Sequence, residues 1–205
     1  MLNRFARAFM TRMLTPVARV ALRMGLTPDM VTIIGTIGVC VGALAFYPRH
    51  EFWTGTLVIV LFVFSDTLDG TMARLSGRTS TWGAFLDSTL DRIGDGAVFG
   101  GLLLCFAARP DGELTAWFAL ACLVFGFVTS YARARAEGLG ITAANTGIAE
   151  RADRLVVALA ATGLTGLFGW PDLVLTITLG LLALASSITV LQRMMAVRRH
   201  ILAPS

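Results

Sequence analysis

Six stretches of this 205-residue chain, at about 30–48, 52–75, 83–108, 113–136, 151–169 and 172–197, are each close to 20 residues long and mostly apolar on every side. That is the length at which a helix crosses the hydrocarbon core of a bilayer. A soluble bundle needs polar faces between its apolar stripes, and these segments do not supply them. Composition agrees, with 56% hydrophobic and 15% charged residues and a mean hydropathy of +0.74. The expected fold is an all-α integral membrane protein forming one domain over 1–205. Six transmembrane helices occupy residues 26–200, preceded by an N-terminal amphipathic interfacial helix within 1–25.

That first helix is expected over 2–24, where Phe5, Phe9, Leu14, Val17 and Leu22 alternate with Arg4, Arg7, Arg12, Arg19 and Arg23, a pattern suited to a membrane surface. The arginines and the lack of a long early apolar run argue against a cleaved secretion signal. Gly25 ends the helix, Pro28 marks the boundary, and Thr27 or Asp29 caps the first span. Short turns at Pro48, Gly77, Pro110 and Pro171 separate the spans, and only Glu137 to Glu150 forms a longer loop. All 17 basic residues are arginine. Apart from Arg49, Arg92 and Arg109 they lie in the terminal segments or near the second-to-third and fourth-to-fifth connections, which places both termini in the cytoplasm. The net charge of +4 points to anionic lipid rather than nucleic acid, because the arginines flank apolar spans. Cys40, Cys105 and Cys122 lie inside spans, with no C-x-x-C pairing, and are expected to pack. Gly38-x-x-x-Gly42 and Gly96-x-x-x-Gly100 allow close helix approach, within one protomer or across a homodimer.

The second and third spans carry Asp66, Asp69, Asp87 and Asp91, and acids inside a membrane segment are costly enough to be functional candidates. Spacings of three and four put each pair on one helix face. The spans run in opposite directions from a common turn, so the two pairs fall at similar depth and can converge. Four bare carboxylates would repel and take up protons. A divalent cation holds them ionised, and an all-oxygen donor set suits magnesium, with manganese as an alternative. Gly70, Ala73 and Gly83 leave room beside these acids for a flat base or a diphosphate to approach the backbone. Arg74, one turn beyond Gly70, can pair with a diphosphate or brace a carboxylate.

Together these residues form Asp66-x-x-Asp69-Gly70-x-x-Ala73-Arg74, eight residues, Gly83-x-x-x-Asp87-x-x-x-Asp91. This resembles the complete signature of the CDP-alcohol phosphotransferases. The resemblance implies an enzyme that binds a CDP-lipid through metal ions at Asp66, Asp69, Asp87 and Asp91, releases CMP, and uses Asp91 as general base for the incoming hydroxyl. It further implies CDP-lipid contacts at Asp29, Met30, Val31, Thr32, Gly70, Ala73, Arg74, Ser80 and Gly83. From the residues alone, Asp29 is equally a helix cap and Ser80 an ordinary loop residue. Asp95 continues the same face beyond Asp91 and is expected to pair with Arg92 or with a neighbouring helix. His50 and His200, at span ends, have no plausible triad.

The acceptor is read from charge. Arg133, Arg151, Arg154 and Arg193 open or close three spans at one end, where their guanidinium groups, with Ser130, can form a phosphate pocket. Gly25-Leu26-Thr27-Pro28-Asp29, the segment Ser130 to Glu137, and Glu150-Arg151 resemble the actinobacterial phosphatidylinositol phosphate synthases. That resemblance implies CDP-diacylglycerol and inositol phosphate as substrates. Arg133 departs from it, since lysine is common there. A phosphatidylglycerophosphate synthase using glycerol phosphate is the alternative. A cation-binding transporter or channel would also place acids in spans, but does not account for the glycine, alanine and arginine spacing.

Overall fold

The computed structural model describes residues 2–77, 80–141 and 147–202, and the side chains of residues 2–12 and of Asp66 lie outside the described set. Among the described residues every regular element is helical: α1 Leu2–Arg23, α2 Pro28–Val41, α3 Phe52–Ser76, α4 Thr81–Ala107, α5 Glu113–Gly138, α6 Arg151–Phe168 and α7 Leu173–Leu202. A π-helical turn, Gly42–Phe46, and a 3-10 turn, Tyr47–Arg49, extend α2. Four helical stretches are long and apolar enough to cross a membrane: Pro28–Arg49, Phe52–Ser76, Glu113–Gly138 and Leu173–Leu202. The other two long helices carry concentrated charge, with Asp87, Asp91, Arg92 and Asp95 on α4 and Arg151, Asp153 and Arg154 opening α6.

Local chemistry explains the boundaries that position the acids. Thr27, rather than Asp29, caps α2, its hydroxyl accepting from the Met30 N–H at 3.2 Å. Pro28 occupies the first turn, where a missing N–H costs nothing. Gly77 ends α3 with φ +64°, a left-handed conformation that an L side chain rarely adopts. Ser80 then caps α4, accepting from the Gly83 N–H at 3.0 Å. The end of α3 at Gly77 and the start of α4 at Ser80 set the depth of the acids on the two helices. A capping box of Glu150 and Asp153 starts α6 and thereby places Arg151.

Packing follows a closed ring in which α2 lies against α3 and α4, α4 against α5, α5 against α7, α7 against α6, and α6 against α3, while α1 lies on α3. Tyr47, Phe52, Leu102, Phe106, Leu175 and Leu179 centre the main core. Tyr47 and Phe52 meet edge to face at 5.9 Å, and the Tyr47 hydroxyl pairs with Thr56 at 2.9 Å. Gly38 and Gly42 serve packing inside the protomer, because a Cβ there would meet Phe62 or Ile59 of α3. Large apolar side chains such as Leu61, Trp117, Leu181 and Leu191 project outward. A water-soluble monomer rarely exposes apolar surface so widely, and a lipid-facing one does so by design. This is a membrane protein.

At the end of the ring away from the acids, Arg109 pairs with Asp172 at 2.6 Å. The His50 ring lies between Arg109, 3.2 Å away, and Cys105, 3.7 Å away. These contacts tie together the turns after α2, α4 and α6.

Candidate active site

Inside the ring, α2, α3, α4 and α6 line an open cavity of about 70 Å³, bordered by Thr32, Thr36, Asp69, Asp91, Asp95 and Arg151 among others. Asp69 is 8% exposed, and the Thr32 hydroxyl donates to its Oδ2 at 2.5 Å. Thr32 also donates to the Pro28 carbonyl at 3.1 Å, so the first turn of α2 fixes the Asp69 carboxylate. Asp91 faces the same space from α4, one turn beyond Asp87. Two of the expected acids therefore converge, and the Asp87 side chain is half-buried close by in sequence. The side chain of Asp66 lies outside the described residues. Among the described residues no three His, Cys, Asp or Glu side chains gather into a metal-holding group.

The small residues leave space of two kinds. A Cβ at Gly70 would meet only the Arg74 guanidinium, at 3.5 Å, and Arg74 donates to Thr71 Oγ1 at 3.1 Å. The Gly70 backbone therefore opens toward an exposed cation. At Gly83 a Cβ would lie 3.3 Å from Ser80 Oγ and 3.9 Å from Asp29 Oδ1, which brings Asp29, Ser80 and Gly83 to one spot. Ala73 is half-buried on α3. Met30 is exposed, whereas the Val31 side chain is buried and joins Ala18, Ala21 and Met72 in a small cluster under α1.

The arginines divide between three environments. Arg154 and Arg193 are 2% and 6% exposed, deep burial for permanent cations. Arg193 Nη1 donates to the Thr129 carbonyl at 2.6 Å and feels the charges of Arg133, Glu150 and Glu137. Arg154 feels Asp95, Arg193 and Arg92, and Gly126 makes room for its guanidinium, which lies 3.6 Å from where a Cβ would stand. Arg133 is exposed and donates to Glu137 at 2.9 Å along its own helix. Ser130 donates back to the Gly126 carbonyl at 3.1 Å.

Arg151 points to the acids. Its Nη1 is 2.9 Å from Asp91 Oδ2, and its Nε donates to both oxygens of Asp95 at 3.1 and 3.0 Å. Asp95 thus pairs with a neighbouring helix, and Arg92 turns instead to Asp91 at 3.3 Å. The Thr129 carbonyl, Gly126 and the bridge between Asp95 and Arg151 were not marked by any local motif. Only the helical spacing from Asp91 to Asp95 hinted at the last.

A carboxylate cavity between two signature-bearing helices, flanked by buried guanidinium groups, defines a class. The chain belongs to the CDP-alcohol phosphatidyltransferase family, whose pattern matches residues 25–184. Among its relatives, the phosphatidylinositol phosphate synthase of Streptomyces avermitilis is 53% identical, the match covering 98% of this chain and 84% of the relative. That of Cutibacterium acnes is 51% identical, with 97% and 98% covered. The crystal structure of the Mycobacterium tuberculosis phosphatidylinositol phosphate synthase with CDP-DAG bound superposes with a TM-score of 0.86 at 44% identity, covering 91% of this chain and 94% of that one. A second structure of the same synthase, in complex with manganese and citrate, gives 0.86 at 43% identity, with 90% and 88% covered.

Proposed function

We propose that this chain transfers the phosphatidyl group of CDP-diacylglycerol to inositol phosphate, yielding phosphatidylinositol phosphate and CMP. The observation that carries the acceptor is the burial of Arg154, which shares a small space with Asp95 next to the carboxylate cavity, and of Arg193, whose charge Arg154 feels. Two buried, permanently charged guanidinium groups near Asp95, Glu150 and Glu137 make a strongly cationic corner, and an alcohol with its own phosphate matches it where serine or choline does not. The relatives' shared activity supports the same choice.

On this reading the acceptor phosphate lies against Arg154 and Arg193, with Ser130 and Arg133 at the rim and Arg151 on the side of the acids. Its hydroxyl oxygen attacks the lipid-bearing phosphorus of the diphosphate. A new P–O bond forms, the bond to CMP breaks, and Asp91 takes the hydroxyl proton. Asp29, Met30, Val31, Thr32, Gly70, Ala73, Arg74, Ser80 and Gly83 hold the CDP-lipid, with Val31 limited to its backbone because its side chain is packed away. Thr32 keeps Asp69 oriented while doing so. The oxygen donors Asp66, Asp69, Asp87 and Asp91 fit a hard divalent cation, magnesium or manganese. Such an ion supplies charge neutralisation of the diphosphate and a better leaving group.

The membrane arrangement belongs to the same proposal: one domain over 1–205, six crossings by α2 to α7, and both termini with the active site facing the cytoplasm. At 27 and 18 residues, α4 and α6 reach about 40 and 27 Å, near the hydrocarbon thickness of about 30 Å. Met13, Val17 and Val20 form an exposed apolar stripe on α1, continued by Met24 just past its end and set on a different face from the buried Ala18 and Ala21, as an interfacial helix requires. A homodimer contact would fall on Gly100, where a Cβ meets nothing within 4 Å.

The test is CMP release by purified protein with CDP-diacylglycerol and magnesium, offering inositol phosphate, glycerol phosphate, inositol and serine in parallel. Release with inositol phosphate alone is expected, and Arg193→Ala should raise the KM for it more than that for the CDP-lipid. Release only with glycerol phosphate replaces the acceptor and keeps the reaction. No release with any alcohol overturns the reading.

A further inference from the structure

Asp95 stands outside the eight signature positions, yet its side chain is only 14% exposed and lines both the carboxylate cavity and a smaller space shared with Arg92, Gly126 and Arg154. One guanidinium joins it to Asp91. Arg151 donates through Nε to both Asp95 oxygens at 3.1 and 3.0 Å. It places Nη1 2.9 Å from Asp91 Oδ2 and Nη2 3.5 Å from the Asp91 carbonyl. The planar fork cannot turn its Nε edge to a second carboxylate while Asp95 holds that edge. The Asp91 carboxylate is left to the Nη1 corner of Arg151.

The charges lead to the same result. Arg92 and Arg151 both contact Asp91, at 3.3 and 2.9 Å, and Asp95 balances the second of them. Without Asp95 the site would carry one negative charge fewer beside Arg92 and Arg151, and a cation held at Asp91 opposes a divalent ion competing for the same oxygens. We propose that Asp95 is a positioning residue acting through Arg151: it restrains and neutralises that guanidinium so that Asp91 can exchange it for a divalent cation. This rests on the reading of Asp91 as metal ligand and base. It also gives the acid one turn beyond the signature a place in the reaction.

The experiment titrates Mn2+ into purified full-length protein with CDP-diacylglycerol present, counting free ion by electron paramagnetic resonance, alongside CMP release. Asp95→Asn should weaken Mn2+ binding by about 10–100-fold, the range found when a group supporting a metal ligand is lost, and should lower kcat more than it changes the KM for CDP-lipid. Asp95→Glu, which keeps the charge, should bind Mn2+ nearly as the unaltered protein does. The decisive variant is Asp95→Asn combined with Arg151→Gln. Removing the Arg151 charge as well should return most of the lost affinity, which a merely structural role would not do. Unchanged Mn2+ binding in Asp95→Asn, or weaker binding in the double variant than in the single, overturns the proposal. If Asp95→Asn does not fold, Arg151→Gln alone decides: Mn2+ binding at least as tight as in the unaltered protein supports the proposal, and looser binding sinks it. Absence of CMP release from the unaltered protein would remove the proposed function, while the Mn2+ titrations would still settle this point.

Discussion

At the residue scale the site is a problem of holding negative charge in a membrane. Asp69 is held by the Thr32 hydroxyl, and Asp91 lies against Arg151 and Arg92; each side chain is set before any substrate arrives. If Asp91 is the base, Asp91→Asn keeps the shape and removes both the proton acceptor and a metal oxygen. Turnover should fall by at least about a thousandfold, within the range for loss of a general base. CDP-diacylglycerol should still bind detectably through Arg74 and the helix backbones, as measured with radiolabelled lipid. Near-normal CMP release would exclude Asp91 from the chemistry. The four acids and the small residues beside them were legible in the sequence because helical spacing is local, and acids three or four apart must share a face. Pairings across the fold were not. Arg151 lies 56 residues beyond Asp95, and no local periodicity distinguishes a guanidinium aimed at acids from one aimed at an acceptor. Ser80 and Thr32 were ambiguous for a related reason: a hydroxyl that caps a helix or braces a carboxylate looks, in sequence, like one that binds a ligand.

At the scale of elements, the cavity depends on how closely α2 and α4 approach. A Cβ at Gly101 would lie 2.7 Å from the Ala43 carbonyl oxygen and 3.1 Å from its carbon, a backbone contact that no rotamer change relieves. Ala43 sits in the π-helical turn Gly42–Phe46, where the extra residue per turn carries the chain round to Tyr47 and its bond to Thr56. Gly101→Ala should force the helices apart and destabilise the fold by about 1–3 kcal/mol, the usual cost of overpacking, read as a lower thermal midpoint in detergent. Gly100→Ala is the internal control, because nothing lies within 4 Å of its Cβ position. Equal midpoints for the two variants would show that the crossing is not limiting. Helix positions were legible to within a few residues because turn residues and apolar lengths mark them. The π-helical turn was not, since no composition signals an added residue inside an apolar run.

The whole molecule is electrically lopsided along the ring axis. Arg74, Arg133, Arg135, Arg151, Arg154, Arg193, Arg198 and Arg199 gather at the end where the acids lie, and α1 adds Arg19 and Arg23. The opposite end has Arg49, which donates to the Ala45 carbonyl, and Arg109, which Asp172 neutralises at 2.6 Å. Arginine-rich connections resist translocation, so the end with the acids is expected to stay in the cytoplasm, where a CDP-lipid's nucleotide and a soluble phosphorylated alcohol can reach it. Two fusions test this. A fluorescent protein after Ser205 should fluoresce in cells, and alkaline phosphatase inserted after Pro110 should be active outside the membrane. The reverse pair would turn the molecule over and place the carboxylate cavity on the face away from cytoplasmic substrates. Two sites reporting the same face would instead require an even number of crossings between Pro110 and Ser205. That would leave one of α5, α6 and α7 outside the bilayer, although all three belong to the ring, α7 packing against both α5 and α6.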